Sequence, residues 1–169
     1  AQAQATEAFI EGMRFEHGAS YHSRYHGDYH LGQVLVARND FYIIDFEGEP
    51  ARPLEERRAR HSPLRDVAGM LRSFDYARWC ALRRAAQNAD ELVRLGPAAA
   101  DWETQTVAAF LDGYTGALAP ERGQVDAQLM SLFELEKAFY ELRYEMNNRP
   151  DWVSVPLQGI LAMVERRAR

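Results

Sequence analysis

The sequence predicts a mainly α-helical protein carrying one small β-hairpin. Three observations support that expectation. Apolar residues recur at helical spacing over most of the chain beyond residue 62. The one adjacent pair of β-forming runs, 34–37 and 41–46, is short and is separated by Arg38-Asn39-Asp40. The 169 residues contain no repeat, low-complexity tract or linker, which suits a single domain, 1–169.

Residues 1–18 form the first expected helix, with Ala5, Ala8, Phe9, Gly12, Met13 and Phe15 on one stripe and Gly18 as its C-terminal cap. Residues 20–33 are rich in His, Tyr, Gly and Asp and have no period. The hairpin follows, then a polar stretch rich in Arg and Glu from Glu47 to His61. Ser62-Pro63 is a helix start, with Ser as N-cap and Pro in the first turn. Val67, Met70, Leu71, Phe74 and Ala77 continue that helix, which is expected to reach about Leu95 before Gly96-Pro97 breaks it. Asp101 opens another, to about Leu118, and residues 120–123 form a loop. From Asp126 to about Asn147, Leu132, Leu135, Phe139, Leu142 and Met146 step by 3, 4, 3 and 4, the mark of an amphipathic helix. Arg149-Pro150 ends it, and Pro156 starts a last helix.

Composition narrows the function. The formal charge of −5 gives no global positive field, so nucleic acid and anionic membrane are not expected partners. Of 20 basic residues, 19 are Arg and one, Lys137, is Lys. A single cysteine, Cys80, excludes an internal disulfide framework and suits a reducing compartment. No apolar run approaches the ~18 residues of a membrane span. With no signal-peptide pattern at the start, a cytoplasmic location is expected.

The chemistry gathers around the hairpin. His26-Gly27-Asp28-Tyr29-His30-Leu31-Gly32-Gln33 leads into its first strand, and Ile43-Ile44-Asp45-Phe46-Glu47-Gly48 leaves its second. Phosphoryl transfer to an alcohol needs a carboxylate at the attacking hydroxyl and oxygen ligands for the metal that neutralises the phosphates. An Asp, a carboxamide five positions later and a second Asp beyond a hairpin is the order in which kinases supply them. Asp28 is then the catalytic base, Gln33 offers its carbonyl oxygen to Mg²⁺, and Asp45 bridges the metal to the phosphates of ATP. The bland alternative makes Asp28 a turn cap and Asp45 a strand end. Glu47 either ligates a second Mg²⁺ or pairs with Arg52, Arg57 or Arg58.

The run from Arg24 to Leu35, the continuation Ile44-Asp45-Phe46-Glu47-Gly48-Glu49-Pro50 and the stretch from Ser62 to Ala77 closely resemble bacterial maltokinases. These belong to the aminoglycoside-phosphotransferase-like, protein-kinase-like superfamily and are also found fused to trehalose synthase. The resemblance implies the C-terminal helical lobe of that fold. The catalytic loop and metal-binding hairpin would lie at 24–50 and the helical acceptor-binding part at 62–169. It also implies transfer of the ATP γ-phosphate to the anomeric hydroxyl of maltose, giving maltose 1-phosphate. His26 would pack beneath the catalytic loop, and Asp66, favourable by dipole alone at a helix start, would accept hydrogen bonds from the loop backbone.

The run 136–145, with Arg149-Pro150-Asp151-Trp152 and 156–160, resembles the maltokinase C-terminus, which helps form the sugar pocket. Sugars stack on aromatic rings and hydrogen-bond charged and amide groups. The acceptor role is therefore carried to Tyr140, Tyr144, Glu145, Arg149 and Trp152. The bland alternative is an exposed helix with a Lys137–Glu141 pair. The N-terminal lobe of such a kinase, with its sheet, phosphate-covering loop and lysine, has no counterpart before Asp28, so a fragment inactive toward ATP on its own is expected. The alternatives are a non-catalytic kinase-derived domain that docks on trehalose synthase and a kinase for another acceptor, an aminoglycoside or a choline-like alcohol.

Overall fold

The structure is a computed structural model, and it describes residues 2–12, 21–118 and 125–167. The first helix, α1, spans Gln2–Glu11; its expected extension and the Gly18 cap lie outside the described residues. The two strands are β1, Val34–Ala37, and β2, Asp40–Ile43, antiparallel, with Val34 opposite Ile43 and Ala37 opposite Asp40. Only Arg38 and Asn39 remain in the turn. Both take positive φ, 53° and 64°, which is the backbone of a two-residue type I′ hairpin. The second strand thus ends earlier than expected, and residues 44–46 leave the ladder.

Within the polar stretch lies a short helix, α2, Leu54–Arg58. The next helix, α3, spans Leu64–Ala85, and the Ser62 hydroxyl accepts the Leu64 N–H at 3.4 Å. The expected break at Gly96-Pro97 is corrected: α4 runs unbroken over Ala89–Gly116 with Pro97 inside it. Proline's fixed φ is itself helical and removes one i→i−4 bond, and the alanines at 98–100 favour the helix that surrounds it. The chain breaks earlier, at 86–88. There Asn88 is extended (φ −153°, ψ 174°) and accepts the Glu91 N–H, while the Glu91 carboxylate accepts the Gln87 N–H at 2.9 Å. Asp126 caps α5, Ala127–Asn148, through the N–H groups of Gln128 and Leu129. A 3₁₀ turn, Pro150–Trp152, leads to α6, Ser154–Arg167. The loop expected at 120–123 lies outside the described residues.

Two compact units make up the chain, Ala1–Arg72 with Asp126–Arg169, and Ser73–Val125. The core of the first is apolar: Leu135 and Ala138 of α5 meet Ile160 and Met163 of α6, with Leu132, Leu142 and Val164 around them. The buried face of α5 also includes Glu145 at 2 % exposure, whereas Phe139 is 43 % and Met146 62 % exposed. The expected apolar stripe is therefore rotated. In the second unit Phe74 meets Phe110 edge to face at 5.6 Å. Arg78 pairs with Asp75 (2.7 Å) and Glu103 (2.9 Å) there. Among the described residues no helix is long and apolar enough to cross a membrane.

Candidate active site

The loop carrying Asp28 is held from behind by α3. The Asp66 carboxylate accepts the main-chain N–H of His26 at 2.6 Å and of Gly27 at 2.9 Å. Burial pushes the Asp66 carboxyl up, and these two donors pull it the other way. Close approach demands glycine twice. Gly27 has φ 84°, and a Cβ at Gly69 would sit 2.8 Å from the Tyr29 carbonyl oxygen.

His26 joins the two halves of the site. Its Nδ1 accepts the Asp28 N–H at 3.3 Å, so its Nε2 carries the proton and donates to the Ile44 carbonyl at 2.7 Å. Its ring packs on Phe46 at 4.9 Å and Tyr29 at 5.5 Å. The base candidate is thereby tied to the residue preceding Asp45. His30 Nε2 lies 3.7 Å from Asp28 Oδ2.

Gln33 and Asp45 meet at the open end of the hairpin. The Gln33 amide donates to Asp45 Oδ2 at 2.9 Å, and the Ile44 N–H donates to the Gln33 carbonyl at 3.0 Å. Asp45 sits at φ 64°, a left-handed conformation that Asp tolerates better than most residues. The pair leaves Gln33 Oε1 and Asp45 Oδ1 for a cation. These are hard oxygen donors of the kind Mg²⁺ takes, and that ion is commonly held by one or two carboxylates with substrate phosphates completing its shell. Among the described residues no group of three or more His, Cys, Asp or Glu is placed to hold a metal ion, so a site here depends on the carboxamide. Glu47 is exposed. Arg57 reaches it through the main-chain carbonyl at 3.3 Å, and Arg52 turns instead to Glu136 and Glu56.

Asp28 lines a cavity of about 390 Å³ within the first unit. Its walls come from the loop, from Glu49 and Arg52, from the start of α3 and from Phe133, Glu136, Lys137, Phe139, Tyr140 and Arg143 of α5. The Lys137 ammonium lies 3.2 Å from Asp28 Oδ1 and 3.4 Å from Glu49 Oε2. The Tyr140 hydroxyl donates to Glu49 Oε1 at 2.8 Å, and burial together with that bond pushes the hydroxyl's pKa up. Glu136 takes Arg52 at 3.0 Å and Arg65 at 3.1 Å. Burial opposes its ionisation, but the two guanidinium groups outweigh burial and hold the carboxyl below its usual range.

Of the residues to which the acceptor role was carried, only Tyr140 lines this cavity. Glu145 is buried, and both its oxygens hold the half-exposed Arg149 side chain, at 2.6 and 2.9 Å. Arg149 in turn stands 5.6 Å from the Tyr144 ring and 5.7 Å from the Trp152 ring. These four residues form their own cluster at the end of α5. Helical spacing groups side chains on a face without saying what the face meets. In place of the Lys137–Glu141 pair of the bland alternative, Glu141 pairs with Arg72 at 2.7 Å while Lys137 turns to Asp28 and Glu49. Sequence reasoning missed Glu49, Lys137 and the Glu136 cluster; the one signal for Lys137 was its uniqueness among 19 arginines.

The chain is similar to glucosamine kinases. It is 30% identical over 146 residues to the glucosamine kinase of Streptacidiphilus jiangxiensis, covering 85% of this chain and 32% of that protein. It is 32% identical over 143 residues to that of Mycolicibacterium smegmatis, covering 83% and 34%. A solved glucosamine kinase in complex with glucosamine, ADP and inorganic phosphate superposes with a TM-score of 0.65 at 27% identity, over 85% of this chain and 35% of that one. Another crystal form gives 0.67 at 30% identity, over 83% and 31%. The chain thus spans about a third of the length of these kinases. No protein-family model matches it.

Proposed function

We propose that the chain is the catalytic lobe of an ATP-dependent sugar kinase. The observation that carries this reading is the placement of Asp28 on the wall of a 390 Å³ cavity, tied through His26 to the Gln33–Asp45 pair. Likeness to glucosamine kinases in sequence and fold supports it.

In this reading the acceptor sugar lies in the cavity with one hydroxyl at Asp28. The carboxylate takes the hydroxyl proton as the oxygen attacks the γ-phosphorus, and the bond from that phosphorus to the departing ADP oxygen breaks. Asp66 and His26 hold the loop so that Asp28 is aimed before the sugar arrives, which is where positioning gains rate. Gln33, Asp45 and the exposed Glu47 would hold Mg²⁺, which when bound neutralises charge on the phosphates.

Two acceptors have separate support. The glucosamine kinases favour an amino sugar. Maltose, giving maltose 1-phosphate, is favoured by the maltokinase-like motifs and by Lys137, whose ammonium already lies against both Asp28 and Glu49. The test is binding of ADP with Mg²⁺, and of glucosamine, maltose, glucose and trehalose, together with sugar-dependent ADP release. Sugar and Mg·ADP binding that is lost on Asp45→Ala for the nucleotide alone supports the reading. A folded chain that binds neither sugar nor nucleotide sinks it.

A further inference from the structure

The cavity beside Asp28 holds a single ammonium, and that ammonium already sits in a three-sided cation site. Asp28 Oδ1 lies 3.2 Å away, Glu49 Oε2 3.4 Å, and the face of the Tyr140 ring 4.9 Å from its centroid. The side chains of Lys137, Asp28 and Glu49 are only 26, 19 and 12 % exposed. A charge so far withdrawn from water needs its counter-charge close by. The Tyr140 hydroxyl fixes the other oxygen of Glu49 at 2.8 Å, so the carboxylate is held toward the lysine. Two of the cavity's guanidinium groups, Arg52 and Arg65, are engaged by Glu136, and the third, Arg143, stands 5.9 Å from the Tyr140 ring.

We propose that Lys137 sets the charge preference of the acceptor pocket. Seated between Asp28 and Glu49, its ammonium occupies the place that a sugar's own ammonium would take against them, and the pocket favours an uncharged, polyhydroxylated sugar. A sugar carrying its own ammonium must displace Lys137 from the same two carboxylates. The inference rests on the sugar-kinase reading and concerns which sugars bind, not whether they do. It also separates the two acceptors that the sequence motifs and the relatives favour.

Glucosamine and glucose differ by an ammonium in place of one hydroxyl, which makes their affinity ratio the readout. Calorimetry at mildly acidic pH compares the 169-residue chain with Lys137→Met, Lys137→Arg and Glu49→Gln. Lys137→Met is expected to raise the ratio of glucosamine to glucose affinity by roughly tenfold, as loss of a partly buried competing charge should. Lys137→Arg keeps the charge and the ratio, and Glu49→Gln lowers the ratio. Loss of packing alone weakens both sugars together and leaves the ratio where it was. Lys137 is also the chain's one lysine, so lysine-specific ¹⁵N labelling yields one side-chain ammonium signal, which glucosamine should move further than glucose. That measurement decides the matter even if Lys137→Met does not fold; equal shifts count against the proposal. Sugar binding with an unchanged ratio in Lys137→Met overturns this inference alone. Failure of the native chain to bind any sugar overturns the kinase reading and this inference with it.

Discussion

Asp66, in the first turn of α3, grips the main chain at Gly27, 39 residues earlier, with a 2.9 Å hydrogen bond from the Gly27 N–H. Its second oxygen takes the neighbouring His26 N–H. One carboxylate thus sets the path of the backbone that presents Asp28. Asp66→Ala leaves two part-buried donors without their acceptor and should destabilise the protein by about 2 kcal/mol. Asp66→Asn, which keeps one acceptor oxygen, should lose less. Urea unfolding of both variants measures this; equal losses would show that the two bonds are not what the carboxylate contributes.

Asp28→Asn tests the base. The amide cannot accept the hydroxyl proton but fills the same space. In a polypeptide that turns over ATP, kcat should fall by roughly 10²–10⁴-fold while affinity for a neutral sugar stays nearly unchanged. Steady-state ADP release and sugar titration separate the two. A kcat within a few-fold of the native value refutes the role.

Gln33→Ala removes the carboxamide that holds Asp45 at 2.9 Å. Mg·ADP should bind more weakly, whereas metal-free ADP and sugar should bind as before. Titrations with and without Mg²⁺ provide the comparison. Equal weakening in both would place Gln33 in the support of the hairpin rather than at the metal.

Glu136 supplies a pH test. Arg52 and Arg65 hold its folded-state pKa below the ordinary 4.5. A carboxyl depressed in the folded state adds stability above its unfolded pKa and loses it as pH falls through the folded value. Glu136→Gln should therefore lower Tm at neutral pH, and the gap from the native protein should close as pH drops below 4.5. A gap independent of pH would mean that the ion pairs carry none of it.

The hairpin and the spacing of Asp28, Gln33 and Asp45 were legible because all of their determinants lie within 20 residues of chain. Lys137 and Glu49 were not, since Lys137 lies 109 residues from Asp28 and 88 from Glu49, and only tertiary packing brings them together. At Gly96-Pro97 local propensity pointed to a break that the surrounding helix overrides, while the Asn88 cap that does mark the boundary was overlooked. Tyr144, Arg149 and Trp152 were rightly read as neighbours of one another. They do not line the cavity beside Asp28, and the buried side of α5 includes a charged residue, Glu145, which an apolar count treats as exterior.

The ladder between β1 and β2 also acts as a ruler. Val34 faces Ile43, and the Ile44 N–H reaches the Gln33 carbonyl, so Gln33 and Asp45 stand just beyond the open end while the tip at Arg38-Asn39 points away from them. Val36 and Phe41 beside that tip are 71 and 70 % exposed. Matched lengthening of both strands at the tip preserves the spacing of Gln33 and Asp45, whereas a single added residue slips the register and turns one strand's side chains to the opposite face. The hairpin tip is thus an attachment point for a fluorophore or a grafted peptide, provided that the insert adds residues in even number.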